Sequence, residues 1–139
     1  MICTETREMH MTDHQITVRL FDPDARKRML YVQKVATGLW HWPGGKPKPN
    51  ESLVAALKRE VFEETGLRII KLKLIHTEFL AIETIYCYTG ICKSRRCKKP
   101  DGKEIANISR RSLTGSKKLR LSATQKLLQQ NIAIISHLV

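Results

Sequence analysis

From His14 to Phe21, "HQITVRLF", apolar and polar positions alternate, with Ile16, Val18 and Leu20 to one side and Thr17 and Arg19 to the other. A period of two predicts a half-buried strand. "FDPDARKR" follows as a turn, Pro23 standing between two aspartates. "MLYVQKV" reads as a second strand, making a hairpin with the first, and "GLWHWPGG" as a short third strand stopped by Pro43 and two glycines. From Glu51 to Thr65 the period becomes helical. Val54, Leu57 and Val61 form one apolar stripe, and Ala55 and Phe62 lie toward the other side, so both flanks could contact packed material. Asn50 or Ser52 can supply the N-cap oxygen and Gly66 the C-cap. "LRIIKLKLIHT" returns to alternation, Ile70, Leu72 and Leu74 against Lys71 and Lys73, and "FLAIETIYCYTGIC" is another long strand. The tail from Ser122 opens with a capping-box pattern, Ser122 and Gln125, and predicts a closing helix. Strands around a central helix, with a second helix at the end, predict a mixed α/β layered domain. The expected division is a flexible lead-in over 1–13 and a single domain over 14–139.

A chain of 139 residues can bury one real core. No apolar run approaches the roughly 18 residues of a membrane-spanning helix. The opening "MICTETREMHMTDH" lacks the apolar centre of a signal peptide, so the expectation is a cytoplasmic protein. Cys3, Cys87, Cys92 and Cys97 are too few and scattered for a disulfide scaffold. "CKSRRC" comes close to zinc-pair spacing, but no second Cys/His pair follows, and reduced, unliganded thiols are the expectation.

Charge changes the picture. The net +12 is concentrated in residues 93–120, where 11 Lys and Arg face 2 acids. Such a segment attracts polyanions, either phosphorylated small molecules or nucleic acid, or else is a solvated loop that keeps the protein soluble.

Against this basic background, Glu60, Glu63 and Glu64 crowd one helical turn. Glu60 is i, i+3 to Glu63 and i, i+4 to Glu64, spacings at which like charges cost a few tenths of a kcal/mol each, roughly. A solvated face relieved by Lys58 and Arg59, an acidic surface for a basic partner, and a grip for a hard divalent cation are the three accounts. Context selects the third. Pro43-Gly44-Gly45 brings side-chain-free backbone beside the turn. Mg²⁺ favours one or two carboxylates, retained waters and substrate phosphates.

"GKPKPNESLVAALKREVFEETGL" resembles the Nudix box of the MutT-like hydrolases, G-x5-E-x7-R-E-U-x-E-E-x-G-U, where U is apolar. Gly45, Glu51, Arg59, Glu60, Val61, Glu63, Glu64, Gly66 and Leu67 match its nine fixed positions. "GLWHWPGG" is similar to the family's strand leading into the box, and "KEIANISRRSL" to its late acidic-Ile segment. The resemblance implies an α/β/α sandwich around a mixed sheet with the box as a loop and helix. It also implies hydrolysis of a diphosphate joined to another moiety, with Mg²⁺ or Mn²⁺.

By position in the box, the metal would be held by Glu60, Glu64, Glu63 and the Gly45 carbonyl, with Glu63 alternatively the base that orients water. Arg59 would hold the carboxylates in place, Glu51 would be its structural salt-bridge partner, and Glu104 would be an additional ligand or base. Lys46, Trp40 and Arg110 are the candidates for contacting substrate, expected to be a phosphorylated small molecule, a nucleotide first. RNA 5′ ends, an inositol pyrophosphate, or a non-catalytic nucleotide- or RNA-binding module are the alternatives. No membrane partner is expected, and the oligomeric state is open, a dimer included. Asn50 stands where the family commonly has glycine, and Arg110 where many members have tryptophan. Ala81 stands where the ADP-ribose group has proline.

Overall fold

The computed structural model describes residues 13–138. The expected lead-in lies almost wholly outside these residues, and Asp13 already opens the first strand. Strand β1 (Asp13–Asp22) and strand β2 (Ala25–Lys34) form the predicted hairpin, with Phe21 opposite Met29. Beyond it, β2 pairs antiparallel with β3 (Trp40–His41), and at its other edge with β7 (Ile105–Arg111). Strand β4 (Gly44–Gly45) pairs with β1. Strand β6 (Glu83–Cys92) runs parallel to β1 over nine registered pairs, and β5 (Ile69–Phe79) closes the edge antiparallel to β6. The parallel β1–β6 pair makes the sheet mixed and requires a crossover. That crossover contains helix α1 (Leu53–Thr65), and the second helix, α2 (Ala123–Leu138), follows a short 3₁₀ turn at Gly115–Lys118.

The helices cover opposite faces. Ala56, Leu57 and Val61 of α1 pack on Ile16, Val18, Leu20 and Leu30. Leu128 and Ile132 of α2 pack on Met29, Tyr31, Trp42, Ile85 and Cys87. The result is an α/β/α sandwich. It corrects the half-buried reading of β1, because on its second face Thr17 is buried as well, and Phe21 is partly buried against the α2 cluster. Burying a Leu or Val side chain contributes roughly 1.5–3 kcal/mol, so two such clusters anchor both helices firmly.

Ser52 is the N-cap, its Oγ accepting from Ala55 N at 3.1 Å, and Gly66 caps the other end in the left-handed conformation. The apolar stripe is rotated from the expected one. Ala56, Leu57, Val61 and Glu64 point inward, whereas Val54 and Phe62 are exposed, so α1 packs on one flank only. In β5, Ile70 and Leu74 are exposed rather than forming an inner row with Leu72. Irregularities between Ile69 and Lys71 and between Leu74 and His76 shift the alternation of this edge strand. The capping box of α2 is half formed: Ser122 Oγ accepts from Gln125 N, but the Gln125 side chain turns to the backbone N–H of Trp42 instead. Cys87, Cys92 and Cys97 are free thiols, and burial pushes Cys87 up to about 12 and Cys92 to about 11, so both are inert. Among the described residues, no helix is long and apolar enough to cross a membrane.

Candidate active site

The carboxylates are crowded on α1 because two of its positions serve different masters. Its buried stripe ends on Glu64, only 3% exposed, while Glu63 lies on the open side. Between them, Arg59 gathers the rest. Its Nε and Nη2 donate to the two oxygens of Glu51 at 2.8 and 2.9 Å. Nη1 donates to Glu60 Oε1 at 2.9 Å and to Glu63 Oε1 at 3.0 Å, and Nη2 also reaches the Lys46 carbonyl at 3.2 Å. One planar guanidinium thus joins the loop before α1 to the helix, as its fixed fork of donors permits. These bonds hold the Arg59 pKa well above its ordinary value. Arg59, then the Lys48 N–H, pull the Glu51 carboxyl down to about 2. In the same loop Asn50 adopts φ 66°, the left-handed conformation that glycine takes without strain.

Glu64 sits between an amide and an ammonium. Its Oε1 accepts from Gly44 N at 3.0 Å and its Oε2 from Lys34 Nζ at 2.9 Å. Burial pushes the carboxyl up to about 7 against the pull of Lys34. For Lys34, burial works downward, but Glu64 and then Glu104 outweigh it and leave its pKa above the ordinary value. Glu104 Oε1 is 3.5 Å from the same Nζ, so the late loop meets α1 through one lysine. The two glycines are required by proximity. A Cβ on Gly44 would lie 1.9 Å from the Ile16 carbonyl oxygen, and one on Gly45 2.5 Å from the Glu60 carboxyl carbon.

Beside Gly44 and Gly45 opens a cleft of about 330 Å³, lined by Gln15, Lys34, His41, Trp42 and Gln125 among others. His41 Nδ1 donates to the Trp42 carbonyl at 3.0 Å, and burial lowers its pKa, so the ring is neutral with Nε2 its remaining acceptor. The structure brings Gly45, Arg59, Glu60, Glu63 and Glu64 together and carries Glu104 to Lys34. It does not put Lys46, Trp40 or Arg110 on the cleft. Lys46 pairs with Asp13 at 3.3 Å, Trp40 is half-buried against the α2 core, and Arg110 bonds buried Asp22. Lys34, His41 and Gln125, which the sequence pattern does not single out for the site, line the cleft instead. A lysine ending the apolar strand "MLYVQK" was the available signal for the first.

The model of the NUDIX domain matches residues 13–115. The chain belongs to the NUDIX domain family. An 8-oxo-dGTP diphosphatase of Buchnera aphidicola subsp. Acyrthosiphon pisum (strain APS) is 40% identical over 62 residues, 43% of this chain and 47% of that relative. This Nudix chain therefore aligns with about half the length of the curated relative. Among solved structures, the NUDIX domain of Shewanella oneidensis NrtR in complex with ADP ribose superposes with a TM-score of 0.73 at 20% identity. That match covers 92% of this chain and 89% of that one. The MutT protein of Methanosarcina mazei Go1 does so at 0.67 and 19%, covering 90% and 95%. At these identities the likeness is one of fold.

Among the described residues, no three His, Cys, Asp or Glu side chains converge on one point. The Nudix turn is folded onto its own cations instead, Glu60 and Glu63 on Arg59 and Glu64 on Lys34. The donor set fits a hard divalent ion: carboxylate oxygens, a carbonyl in the adjoining Gly44–Gly45 strand, and no sulfur. Lys34 already places one positive charge against Glu64 Oε2.

Proposed function

We propose that this Nudix protein is a metal-dependent pyrophosphohydrolase that cleaves the diphosphate linkage of a nucleoside triphosphate or another nucleoside diphosphate derivative. The observation that carries the reading is Glu64, a nearly buried acid beside a nucleotide-sized cleft, with the Gly44 amide and the Lys34 ammonium as its partners. Stability alone does not call for a desolvated carboxylate there, whereas perturbed acids gather at reaction centres. The 8-oxo-dGTP diphosphatases similar over this segment make an oxidised or ordinary purine nucleoside triphosphate the first substrate to try.

Glu60, Glu63, Glu64 and the Gly45 carbonyl would hold Mg²⁺ or Mn²⁺. When bound, such an ion supplies charge neutralisation at the diphosphate and acidifies water. The chain's own residues do the rest. Arg59 fixes the carboxylates before substrate arrives, so their order is not lost to side-chain entropy at the moment of reaction. Glu63, the most exposed acid of the turn, is placed to accept a proton from attacking water, and Glu104 is the second candidate for that task. Lys34 can share the charge that develops on non-bridging oxygens. His41, Trp42 and Gln125 border the space for the rest of the substrate.

The test is phosphate or pyrophosphate release from a panel including 8-oxo-dGTP, dGTP and ADP-ribose with Mg²⁺ or Mn²⁺. The comparison is wild type against Glu63→Gln and Glu64→Gln. Turnover that falls at least a hundredfold in Glu64→Gln supports the reading. No turnover on the panel, or variants equal to wild type, favours a non-catalytic nucleotide-binding module.

A further inference from the structure

We propose that the loop between β6 and β7, residues 93–104, together with the outer face of the last turn of α1, is a docking surface for a single-stranded polynucleotide. The loop is basic, but it is also tied down. Lys93 N donates to the Arg68 carbonyl and Lys98 N to the Thr65 carbonyl, both at 2.8 Å. Arg110, itself held by buried Asp22 at 2.9 Å, donates to the Arg95 carbonyl and to Cys97 Sγ at 3.5 Å. Asp101 Oδ1 accepts from three successive backbone N–H groups, those of Lys103, Glu104 and Ile105. The chain's most concentrated charge is therefore displayed on a fixed backbone rather than on a loose tether.

The acids near the loop neutralise only part of it, and Asp101, close enough to feel Lys98, is taken up by backbone N–H groups. Asp22 and Asp24 take Arg95 and Arg110. Lys93, Arg96, Lys98, Lys99 and Lys103 are exposed, and none has an ion-pair partner among the described residues. Beside them Phe62 is 44% exposed on α1, with the Arg68 guanidinium 4.6 Å from its ring centroid. Lys98 lies against Gly66 at the end of the same helix. A rim of unpaired cations around an exposed, cation-capped ring matches what a single strand offers, repeated phosphates and bases with open faces.

Competing occupants fit less well. A mononucleotide has the cleft, and no residue of this loop lines it. An anionic membrane surface would call for apolar side chains among the cations. Near the loop, among the described residues, the only ones exposed by about half are Phe62 and Ile70. The most exposed ones, Phe79 and Ile82, lie at the β5–β6 turn, at the opposite end of those strands from Lys93.

The experiment is fluorescence anisotropy of a labelled 20-nucleotide single-stranded RNA with the full chain. It is run in EDTA between 50 and 200 mM salt, so that its outcome does not depend on hydrolysis. Wild type should bind with a strong salt dependence. The triple variant Lys93→Gln/Lys98→Gln/Lys99→Gln should lose about tenfold or more in affinity, and its slope of log K against log salt should fall by about 2, near 0.7 for each contact removed. Phe62→Ala should weaken binding about tenfold and leave the slope unchanged. All these positions are exposed, and thermal melts and turnover of a mononucleotide should match wild type. Equal affinity and slope in the triple variant, or no binding at 50 mM salt, overturns the proposal. So does stronger capture by phosphatidylserine vesicles than by RNA, or an equal grip on duplex RNA that ignores Phe62→Ala.

Discussion

Lys34 Nζ lies 2.9 Å from Glu64 Oε2, so the most buried acid of the carboxylate turn is already matched to a cation carried on a different element. A divalent ion held by Glu64 would have to compete with that ammonium. Replacing Lys34 by Met leaves Glu64 desolvated without its counter-charge, which should cost the metal-free protein about 2 kcal/mol at pH 8. Binding restricted to the folded state stabilises by mass action. Mn²⁺ should therefore raise the melting temperature more in Lys34→Met than in wild type. Calorimetric scans with and without Mn²⁺ decide it, and equal rises would mean that Lys34 does not contend for the site.

The pH dependence follows from the same carboxyl. In the folded protein Glu64 titrates near 7, against an ordinary value of 4.5. Between those values the native state keeps a proton that the unfolded chain has released, so stability falls as pH rises through the window. In EDTA, wild type should lose urea midpoint between pH 5 and pH 8 relative to Glu64→Gln. Parallel profiles for the two proteins would contradict this assignment.

Arg59 ties four groups from two segments, and its replacement should be felt before any chemistry. Arg59→Ala should destabilise by about 2 kcal/mol, because it strips charged hydrogen bonds from Glu51, Glu60 and Glu63 together. Arg59→Lys should recover little, since one ammonium cannot reproduce the two-pronged contact with Glu51. Denaturant midpoints of the three proteins are the measurement.

The two glycines should separate fold from function. Gly44→Ala drives a Cβ into the Ile16 carbonyl and should abolish folding. Gly45→Ala meets first the movable end of Glu60, so the chain should fold, as judged by circular dichroism. Displacing that carboxylate by about 1 Å should lower kcat about a hundredfold. A Gly45→Ala protein with wild-type turnover would remove Glu60 from the working set.

Asn50→Gly offers a gain. At φ 66° a side chain is tolerated rather than favoured, and glycine there should add a few tenths to about 1 kcal/mol. An unchanged or lower melting temperature would show that the asparagine side chain contributes more than its strain.

What could be read in advance tracks how local each cause is. The helix from Ser52 to Gly66 announced itself through its caps and period, and the box residues through their spacing. The phase of the apolar stripe did not, because Val54 and Val61 look alike until α1 is laid on β1. Strand β5 misled for a related reason: its bulges are settled by pairing with β6, where Ile69 meets Cys92 and His76 meets Cys87, outside the reach of the local pattern. The substrate side was least legible. Trp40 and Arg110 attract notice as an aromatic and a charge, yet their neighbours, Leu121 and Asp22, are remote in sequence. Lys34 gained its place only when the hairpin met α1.

One bond described above reaches further than its size suggests. Gln125 Oε1 holds the Trp42 backbone N–H at 3.0 Å, making the last helix a structural wall of the cleft, although the family match ends at residue 115. The carboxylate turn and this wall of the cleft thus stand on separate elements, α1 and α2. Grafting a different terminal helix onto this scaffold should redirect which molecule is chosen while sparing the machinery that would act on it.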